Sequence, residues 1–193
     1  MEMNNENRGA YYLAKKPNLF EPARGNTFRF YVYGLNKLLR ASYAGTEPDA
    51  YLAEDAEDMF ELSVKSTAMP KFSQEPITIR RGNSIVKAAG LPTFNEGSVT
   101  IDDFIGADGR SILMAWQNLS YNVSTQMIGY MSDYKKDAIL IEYDPNYKKV
   151  REWTMYGCWI SDITPGEFDH DNGDKRAITA TIQYDWAEMK LPD

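Results

Sequence analysis

Short segments in which apolar and polar residues alternate recur along this chain, and each predicts a β-strand. They cover residues 27–33, 59–65, 77–80, 84–87, 98–101, 138–143, 148–156 and 177–186. In the last segment one face carries Ile178, Ala180, Ile182, Tyr184 and Trp186, while the other carries Thr179, Thr181, Gln183 and Asp185. One apolar face and one polar face are typical of an antiparallel sheet that packs on the core on one side and is exposed to solvent on the other. The number and brevity of the strands predict a mainly β fold, an antiparallel sandwich or barrel.

Turn residues separate two pairs of these strands. Arg81-Gly82-Asn83 fits a tight hairpin loop between residues 77–80 and 84–87. In Asp144-Pro145-Asn146-Tyr147, proline fixes φ at the second turn position, and the aspartate can bond the backbone two residues on. Both segments therefore predict β-hairpins.

One segment near the middle of the chain has helical spacing instead. Asp108 or Ser111 can cap it. Its apolar residues fall on one face at 3.6-residue spacing: Ile112, Leu113, Trp116 and Leu119. Such a stripe predicts a helix that flanks the sheet and packs on the core.

The stretch from 34 to 58 differs from its surroundings. Leucines at helical spacing are followed by Gly45, Pro48 and the acidic run 54–58. It is too short to bury a core of its own, so we interpret it as a surface excursion. The predicted organisation is an N-terminal arm at 1–16 and a single domain at 17–193.

Composition narrows the class of protein. The 193 residues are 43% hydrophobic and 13% aromatic, which excludes global disorder and favours a β-rich domain. The net charge of −7 argues against nucleic-acid readout, which needs clustered lysine and arginine. Neither a membrane span nor a secretory signal is evident. A single cysteine, Cys158, excludes an internal disulfide and is consistent with synthesis in a reducing cytoplasm.

The best candidate for a metal site is the stretch 168–174, which holds the only histidine, His170. Aspartates at alternate positions resemble a calcium loop. However, the glycine comes one position too early, and Ala180 occupies the place of the final glutamate. Because aspartate, asparagine and glycine are ordinary turn residues, we interpret the stretch as a polar hairpin tip.

Catalytic constellations are equally weak. A serine triad would need His170, and no Gly-x-Ser-x-Gly turn presents a serine. A cysteine–histidine pair would require Cys158, which lies in an apolar strand, to meet that histidine. Residues 80–84 lack the glycine spacing and lysine of a phosphate loop. The carboxylate pairs Asp102-Asp103 and Asp169-Asp171 stay open, although carboxylates on turns are common. We assign no catalytic, cofactor-binding or metal-ligating residues.

Several blocks, in order, resemble the tail tube proteins of contractile-tailed bacteriophages. They are Pro17-Asn18-Leu19-Phe20, Ser66-Thr67-Ala68-Met69-Pro70, Ala89-Gly90, Phe94-Asn95-Glu96-Gly97, Ser98-Val99-Thr100-Ile101, Trp116-Gln117, Tyr134-Lys135-Lys136-Asp137-Ala138, Gly157-Cys158-Trp159 and Tyr184-Asp185-Trp186. Each block is weak alone, and their common order over residues 17–186 carries the resemblance. The chief departure is the excursion at 34–58, where that family has a short turn.

The resemblance implies a structural virion protein of the Hcp-like fold family and not an enzyme. Its subunits would form hexameric rings whose sheets join into one inner β-barrel. The rings would stack inside a contractile sheath, between a baseplate tube-initiator and a tail terminator, and DNA would pass through the lumen. Closing such a ring would remove the exposed strand edges, which are otherwise an aggregation hazard. We expect the last strand to supply one of these edges.

The acidic charge suits a conduit, because a basic lumen would bind DNA phosphates and slow their passage. We therefore predict an acidic lumen. We also expect residues 139–143 and 178–184 to build the core. Alternatives from the same fold are a tube-initiator or an Hcp-like secretion tube. Those from other classes are a carboxylate-dependent hydrolase and a monomeric ligand-binding sandwich.

Overall fold

The computed structural model describes residues 22–36, 56–105, 109–168, 170–171 and 173–191. In chain order its elements are β1 (Phe28–Val32), α1 (Ala56–Ser63), β2 (Val64–Thr67), β3 (Phe72–Gln74), β4 (Ile77–Arg81), β5 (Ser84–Ala88), β6 (Pro92–Phe94), β7 (Gly97–Asp102), α2 (Gly109–Ser120), β8 (Tyr121–Asn122), β9 (Met127–Ile128), α3 (Met131–Tyr134), β10 (Lys136–Tyr143), β11 (Lys149–Thr164), β12 (Ala177–Gln183) and β13 (Trp186–Lys190). Among these, no helix is long and apolar enough to cross a bilayer.

Seven strands form one antiparallel sheet in the order β1-β10-β11-β12-β7-β2, with β13 also paired to β11. The 16-residue strand β11 links two parts of this sheet. The first half-sheet comprises β1, β10, β13 and residues 149–158 of β11. The second half-sheet comprises residues 159–164 of β11, β12, β7 and β2. This confirms the mainly β, antiparallel fold predicted from alternation.

A bulge at Gly157 marks the junction of the half-sheets. Gly157 has φ +67°, and the register slips there: Lys136 faces Cys158 whereas Ala138 faces Met155. An extra residue of this kind bends the strand and resets the alternation of its side chains. As a result Met155 and Cys158 are both buried, although they are three residues apart.

The bulge also explains why one prediction was wrong. The predicted strand 177–186 is two strands, β12 and β13, interrupted at Tyr184 and Asp185 opposite Gly157. The alternation holds as far as Tyr184, which is buried. Trp186 does not share that apolar face: it is 45% exposed and stacks on Tyr156 with ring centroids 4.1 Å apart.

The core lies between the inner face of the bent sheet and the helices α1 and α2. Phe30 of β1 packs on Phe60 of α1 with centroids 6.3 Å apart. Trp116 of α2 is 1% exposed, and its indole Nε1 donates to the Tyr134 carbonyl at 2.7 Å. The predicted helical stripe on α2 is confirmed: Ile112, Leu113 and Trp116 are buried and Leu119 packs against them. The suggested cap Ser111 is instead the third residue of α2, and Asp108 lies outside the described residues.

The segment 59–65, which was predicted to be a strand, is mostly helix α1 followed by the start of β2. Its buried residues are Ala56, Met59, Phe60 and Ser63. That spacing of three, four and seven residues is the helical period, so packing on the sheet decides in favour of helix. The described ends of the predicted excursion, at Leu35 and Ala56, are likewise buried. Residues 37–55 and the predicted N-terminal segment at 1–16 lie outside the described residues.

On β10 the prediction for the core was only half right. Ala138, Leu140 and Glu142 face inward, whereas Ile139 and Ile141 are partly exposed on the opposite face. Glu142 is tolerated among apolar neighbours because Arg151 donates to its Oε2 at 3.1 Å. The inward face therefore follows the strict period of two, and hydrophobicity alone did not identify it.

Candidate assembly surfaces

The structure brings none of the predicted catalytic candidates into a common site within the described residues. His170 and Asp171 are exposed at a turn, and Asp169 is not described. Asp102 pairs with Lys175 at 2.8 Å, and Asp103 accepts two bonds from the Arg176 guanidinium. These two aspartates hold the start of β12 against the end of β7, which is a structural role.

Cys158 is fully buried, so it does not meet the exposed His170. Burial, aided by the charge of Asp137, raises the pKa of its thiol to about 12. A thiol with that pKa is protonated at neutral pH and is therefore a poor nucleophile. Across the described ranges no group of three histidine, cysteine, aspartate or glutamate residues is arranged to hold a metal ion.

A long hairpin, which we call the arm (residues 68–95), projects from the second half-sheet. Its two ladders, β3–β6 and β4–β5, are separate from the seven-stranded sheet. Every residue of β4 and β5 is exposed. The register places the apolar pairs Ile79↔Val86 and Ile77↔Ala88 on one face, which ends at Arg81↔Ser84, and Arg80↔Ile85 with Thr78↔Lys87 gives the other face two cations. The hairpin is thus amphipathic, and with respect to the described residues both of its faces at β4 and β5 are exposed.

The base of the arm is fixed to the body. The Tyr184 hydroxyl accepts from the Lys71 backbone N–H at 3.0 Å and donates to the Lys71 carbonyl at 3.1 Å. Phe94 lies between Phe72 and Tyr184, with centroids 5.7 and 6.1 Å apart. The arm therefore leaves the body from an anchored base, which is what a docking element requires.

The outer face of the second half-sheet is polar and poor in charge. Residues of this face on β2, β7 and β12 are Ser66, Ser98, Thr100, Thr179, Thr181 and Gln183. Thr100 and Thr179 share a hydrogen bond between their hydroxyls at 3.1 Å. Neither β7 nor β12 contains a lysine or arginine, and the same holds for residues 159–164 of β11, whereas β2 carries the exposed Lys65 and Asp102 at the end of β7 pairs with Lys175.

The strand edges differ from the sequence prediction. The last long strand, β12, was expected to be an exposed edge, but it is central between β11 and β7. Among the described strands, β1, β2 and β13 each pair on one side only. The edge strand β1 is flanked by α1, where Arg29 donates to Glu61 at 2.6 Å and Tyr31 donates to Glu57.

A cleft of about 670 Å³, which we call the far-end cleft, opens between the start of α2 and the loop that leads into β12. Its lining includes Phe104, Ile105, Met114, Glu167, Phe168 and Arg176. The four apolar side chains among these are 42–105% exposed. Arg176 holds Phe168 in place, with its guanidinium carbon 4.5 Å from the ring centroid.

Sequence reasoning missed the arm and the far-end cleft as surfaces. It identified β4 and β5 as a hairpin but counted them among the strands of the sandwich or barrel. One available signal was charge. Residues 68–95 carry four cations and one carboxylate in a chain whose net charge is −7. A basic apolar hairpin on an acidic chain indicates an interaction element.

No family model matches the chain. It is 27% identical over 132 residues to tail tube protein gp19 of Enterobacteria phage T4, covering 67% of this chain and 81% of that protein. It is 26% identical over the same length to tail tube protein gp19 of Enterobacteria phage T6, with the same coverage. These relatives confirm the resemblance that the ordered sequence blocks indicated.

Solved structures of tube components share the fold. One is the tube terminating cap of the anti-feeding prophage, with a TM-score of 0.61 and 14% identity over 89% of this chain and 92% of that one. Another is a chain of the sheath-tube complex of an extracellular contractile injection system, PVC, with a TM-score of 0.61 and 14% identity over 99% of this chain and 100% of that one. At such identities the likeness concerns the fold alone, and it confirms the predicted mainly β, antiparallel fold.

Proposed function

We propose that this chain, a homologue of the tail tube proteins of contractile-tailed bacteriophages, is a structural tube subunit of a virion tail. Copies form hexameric rings, the rings stack into a hollow tube inside a sheath, and the tube conducts DNA during ejection. Its partners are other copies of itself, the sheath protein, and the tube-initiator and terminator at the two ends. The protein is made in the host cytoplasm and functions without catalysis.

The observation that carries this proposal is the arm. The described part of a monomer leaves Ile77, Ile79 and Val86 between 44 and 58% exposed on one face. An isolated two-stranded ribbon is marginally stable in water, and it needs a third surface to cover its apolar side. Another copy of the chain supplies that surface in a polymer, whereas an enzyme or a monomeric ligand-binding protein would leave it uncovered.

The sheet supports ring formation in a second way. The edges of β2 and β13 each present backbone groups that no described strand of the same chain pairs. Such edges are templates for pairing with another chain. Neighbours arranged in a closed circle use the edges of β2 and β13, as barrel closure does.

We assign the outer face of the second half-sheet to the lumen. Its hydroxyl and amide side chains on β7 and β12 are uncharged, Asp102 of β7 and Asp162 of β11 add acids, and β2 contributes one exposed cation, Lys65. DNA is held by cations that displace its counterions, so a wall with few cations lets the duplex slide. The predicted acidic lumen thus becomes a wall with hydroxyl groups and a few carboxylates.

The domain organisation fits this role. We propose a single domain at 17–193 that carries the arm, and we propose that the segments 1–16 and 34–58 contact neighbouring copies. The described carboxylates Asp102 and Asp103 are engaged in ion pairs, and we propose no reaction for them.

Negative-stain microscopy of the purified protein tests the assembly. We expect hollow tubes of uniform diameter from the wild-type chain. The double variant Ile79→Glu/Val86→Glu should stop at rings or smaller species, because it places two charges on the apolar face of the arm. The matched control Val123→Glu changes a residue that is 73% exposed in a different turn, and it should still form tubes. Wild-type protein that stays at 22.0 kDa when concentrated would contradict the proposal.

The lumen assignment has its own test. Particles that carry Thr179→Lys/Thr181→Lys should assemble tails normally but release DNA more slowly than wild-type particles. The control Thr179→Ser/Thr181→Ser should eject at the wild-type rate. Equal rates for all three would place this face elsewhere than the lumen.

A further inference from the structure

A pocket of about 230 Å³ lies between β1 and β2, the two strands that end the strand order of the bent sheet. Phe28, Leu140 and Trp153 line it from the inner face of the first half-sheet. Thr67 at the end of β2 and Met69 just beyond it line the other side. We call this site the edge pocket. It is the place where the two half-sheets, which are continuous through β11, approach each other without a described strand that pairs them.

The edge pocket has the size and the lining for one aromatic side chain. Phe28 and Trp153 pack against the core but are only partly buried, and Met69 is 57% exposed. Protein interiors are close-packed, so an apolar space of this size is normally filled. An apolar cavity of about 150 Å³ accepts benzene, and the edge pocket is larger. Its two aromatic rings would also gain from a third ring in tilted or offset contact.

The chain that precedes the described residues ends at this pocket. Residues 23–25 line it, and residues 1–21 lie before them, outside the described range. This preceding segment contains Phe20, which is three residues from Ala23. Three residues of extended chain span at most about 11 Å. Phe20 is therefore within reach of the pocket without any change in the described part of the chain.

The local sequence selects one side chain of this segment. Pro22 disfavours the helical conformation for Glu21, so we expect the chain to be extended there. Successive side chains of an extended chain point in opposite directions, so Leu19 and Phe20 cannot both face the pocket. The aromatic lining favours Phe20, and Leu19 then points away from it.

We propose that Phe20 packs its ring in the edge pocket of its own chain. The short connection to Ala23 holds the ring at an effective concentration on the order of millimolar, which favours it over the same residue of another copy. The ring contacts Phe28 and Trp153 of one half-sheet and Thr67 of the other, so it holds the two ends of the bent sheet together. It also fixes the point where residues 1–16 leave the body, beside the free edge of β2. This anchor goes beyond the proposed function and does not require a tube.

Urea unfolding of single copies tests the contact, at a concentration where sedimentation gives a mass of 22.0 kDa. Phe20→Ala should raise the equilibrium constant for unfolding about tenfold or more, because a buried ring is lost. The matched control Leu19→Ala changes the neighbouring residue of the same segment. It should alter that constant by no more than about twofold, as substitutions of exposed residues do. Equal effects of the two variants would overturn the proposal.

Benzene distinguishes an emptied pocket from a general loss of stability. A ligand that binds only the folded state raises its stability. Benzene near saturation should therefore raise the Tm of Phe20→Ala by about 2–4 °C. It should leave the Tm of wild type and of Leu19→Ala unchanged, because Phe20 fills the pocket in both. The same shift in all three proteins, or no shift in Phe20→Ala, would contradict the assignment.

Disulfide formation identifies the chain from which the occupant comes. Cys158 is buried and its thiol pKa is raised, so it does not compete with engineered cysteines. Dilute Phe20→Cys/Met69→Cys, mildly oxidised, should form an intrachain disulfide and leave one thiol to label after denaturation. The matched control Phe20→Cys/Met127→Cys, with its second cysteine on β9 away from the pocket lining, should keep three thiols. Covalent dimers in place of the intrachain bond would overturn the proposal in favour of a second copy, and equal bonding by both pairs would overturn the pocket.

Discussion

Alanine at Gly157 tests whether the bulge sets the bend of the sheet. The backbone there has φ +67°, a conformation that costs an L-residue roughly 1–2 kcal/mol. A Cβ at this position would also overlap the Asp185 carboxylate. That carboxylate must then swing away from Lys135, with which it pairs at 2.7 Å, and a half-exposed ion pair is worth about 1 kcal/mol or less.

A smaller term acts in the opposite direction. Alanine restricts the unfolded chain more than glycine does, which stabilises the folded protein by about 0.4–1 kcal/mol. The net expectation for Gly157→Ala is a free energy of unfolding lower by about 1–2 kcal/mol. Because the half-sheets would meet at a changed angle, tube formation should also weaken.

Urea unfolding followed by tryptophan fluorescence measures the change in the free energy of unfolding. The measurement is made at a concentration where sedimentation gives both proteins the same mass. The double variant Gly157→Ala/Asp185→Ala separates the two costs, since it removes the overlap and retains the unfavourable φ. Gly157→Asn should lose less than Gly157→Ala, because asparagine tolerates this conformation better. If the free energy of unfolding of Gly157→Ala lies within about 0.3 kcal/mol of the wild-type value, the bulge does not carry the strain assigned to it.

Three further predictions concern groups around the arm and the core. Tyr184→Phe removes both hydrogen bonds to the backbone of Lys71. It should speed amide hydrogen exchange at the base of the arm and lower the free energy of unfolding by about 1 kcal/mol. Unchanged exchange would show that these hydrogen bonds do not anchor the arm. Cys158 should react with a thiol reagent at pH 8 only after denaturation, because burial raises its pKa to about 12, and rapid labelling of the native protein would contradict this. The hydrogen bond to Glu57 and partial burial raise the pKa of Tyr31 to about 12 from 10.0, so its contribution to stability is present below pH 10 and lost as the pH rises towards 12. Ultraviolet titration of Glu57→Gln should show that tyrosine ionising earlier than in wild type, and identical curves would refute the assignment.

The sequence determined the elements in which one local rule acts without competition. Strict alternation identified β7, β10 and the greater part of β12, and the 3.6-residue stripe identified α2. The turn at Asp144 also followed from its residues: its carboxylate accepts from the Asn146 N–H at 2.8 Å, two residues on as predicted. These features depend on residues that are close together in the sequence, so the sequence alone is enough to predict them.

Other elements depended on contacts far along the chain, and only the tertiary structure decided them. Residues 59–63 have an apolar pattern compatible with a strand, and packing of Met59 and Phe60 on the sheet made them helical. Gly157 could have been a simple loop glycine. Its place opposite Asp185 makes it the bulge that shifts the alternation and separates Trp186 from the apolar face.

The assembly surfaces divide in the same way. Composition alone indicated an acidic chain with no recognisable catalytic motif, and the order of short blocks indicated the family. Which strands are edges, and that the arm and the cleft lie at opposite ends of one half-sheet, follow from the pairing of β7 with β12. The physical reason is that sequence patterns report the period of a segment and its preferred faces, whereas strand order is set by contacts between residues about 80 positions apart, such as Thr100 and Thr179.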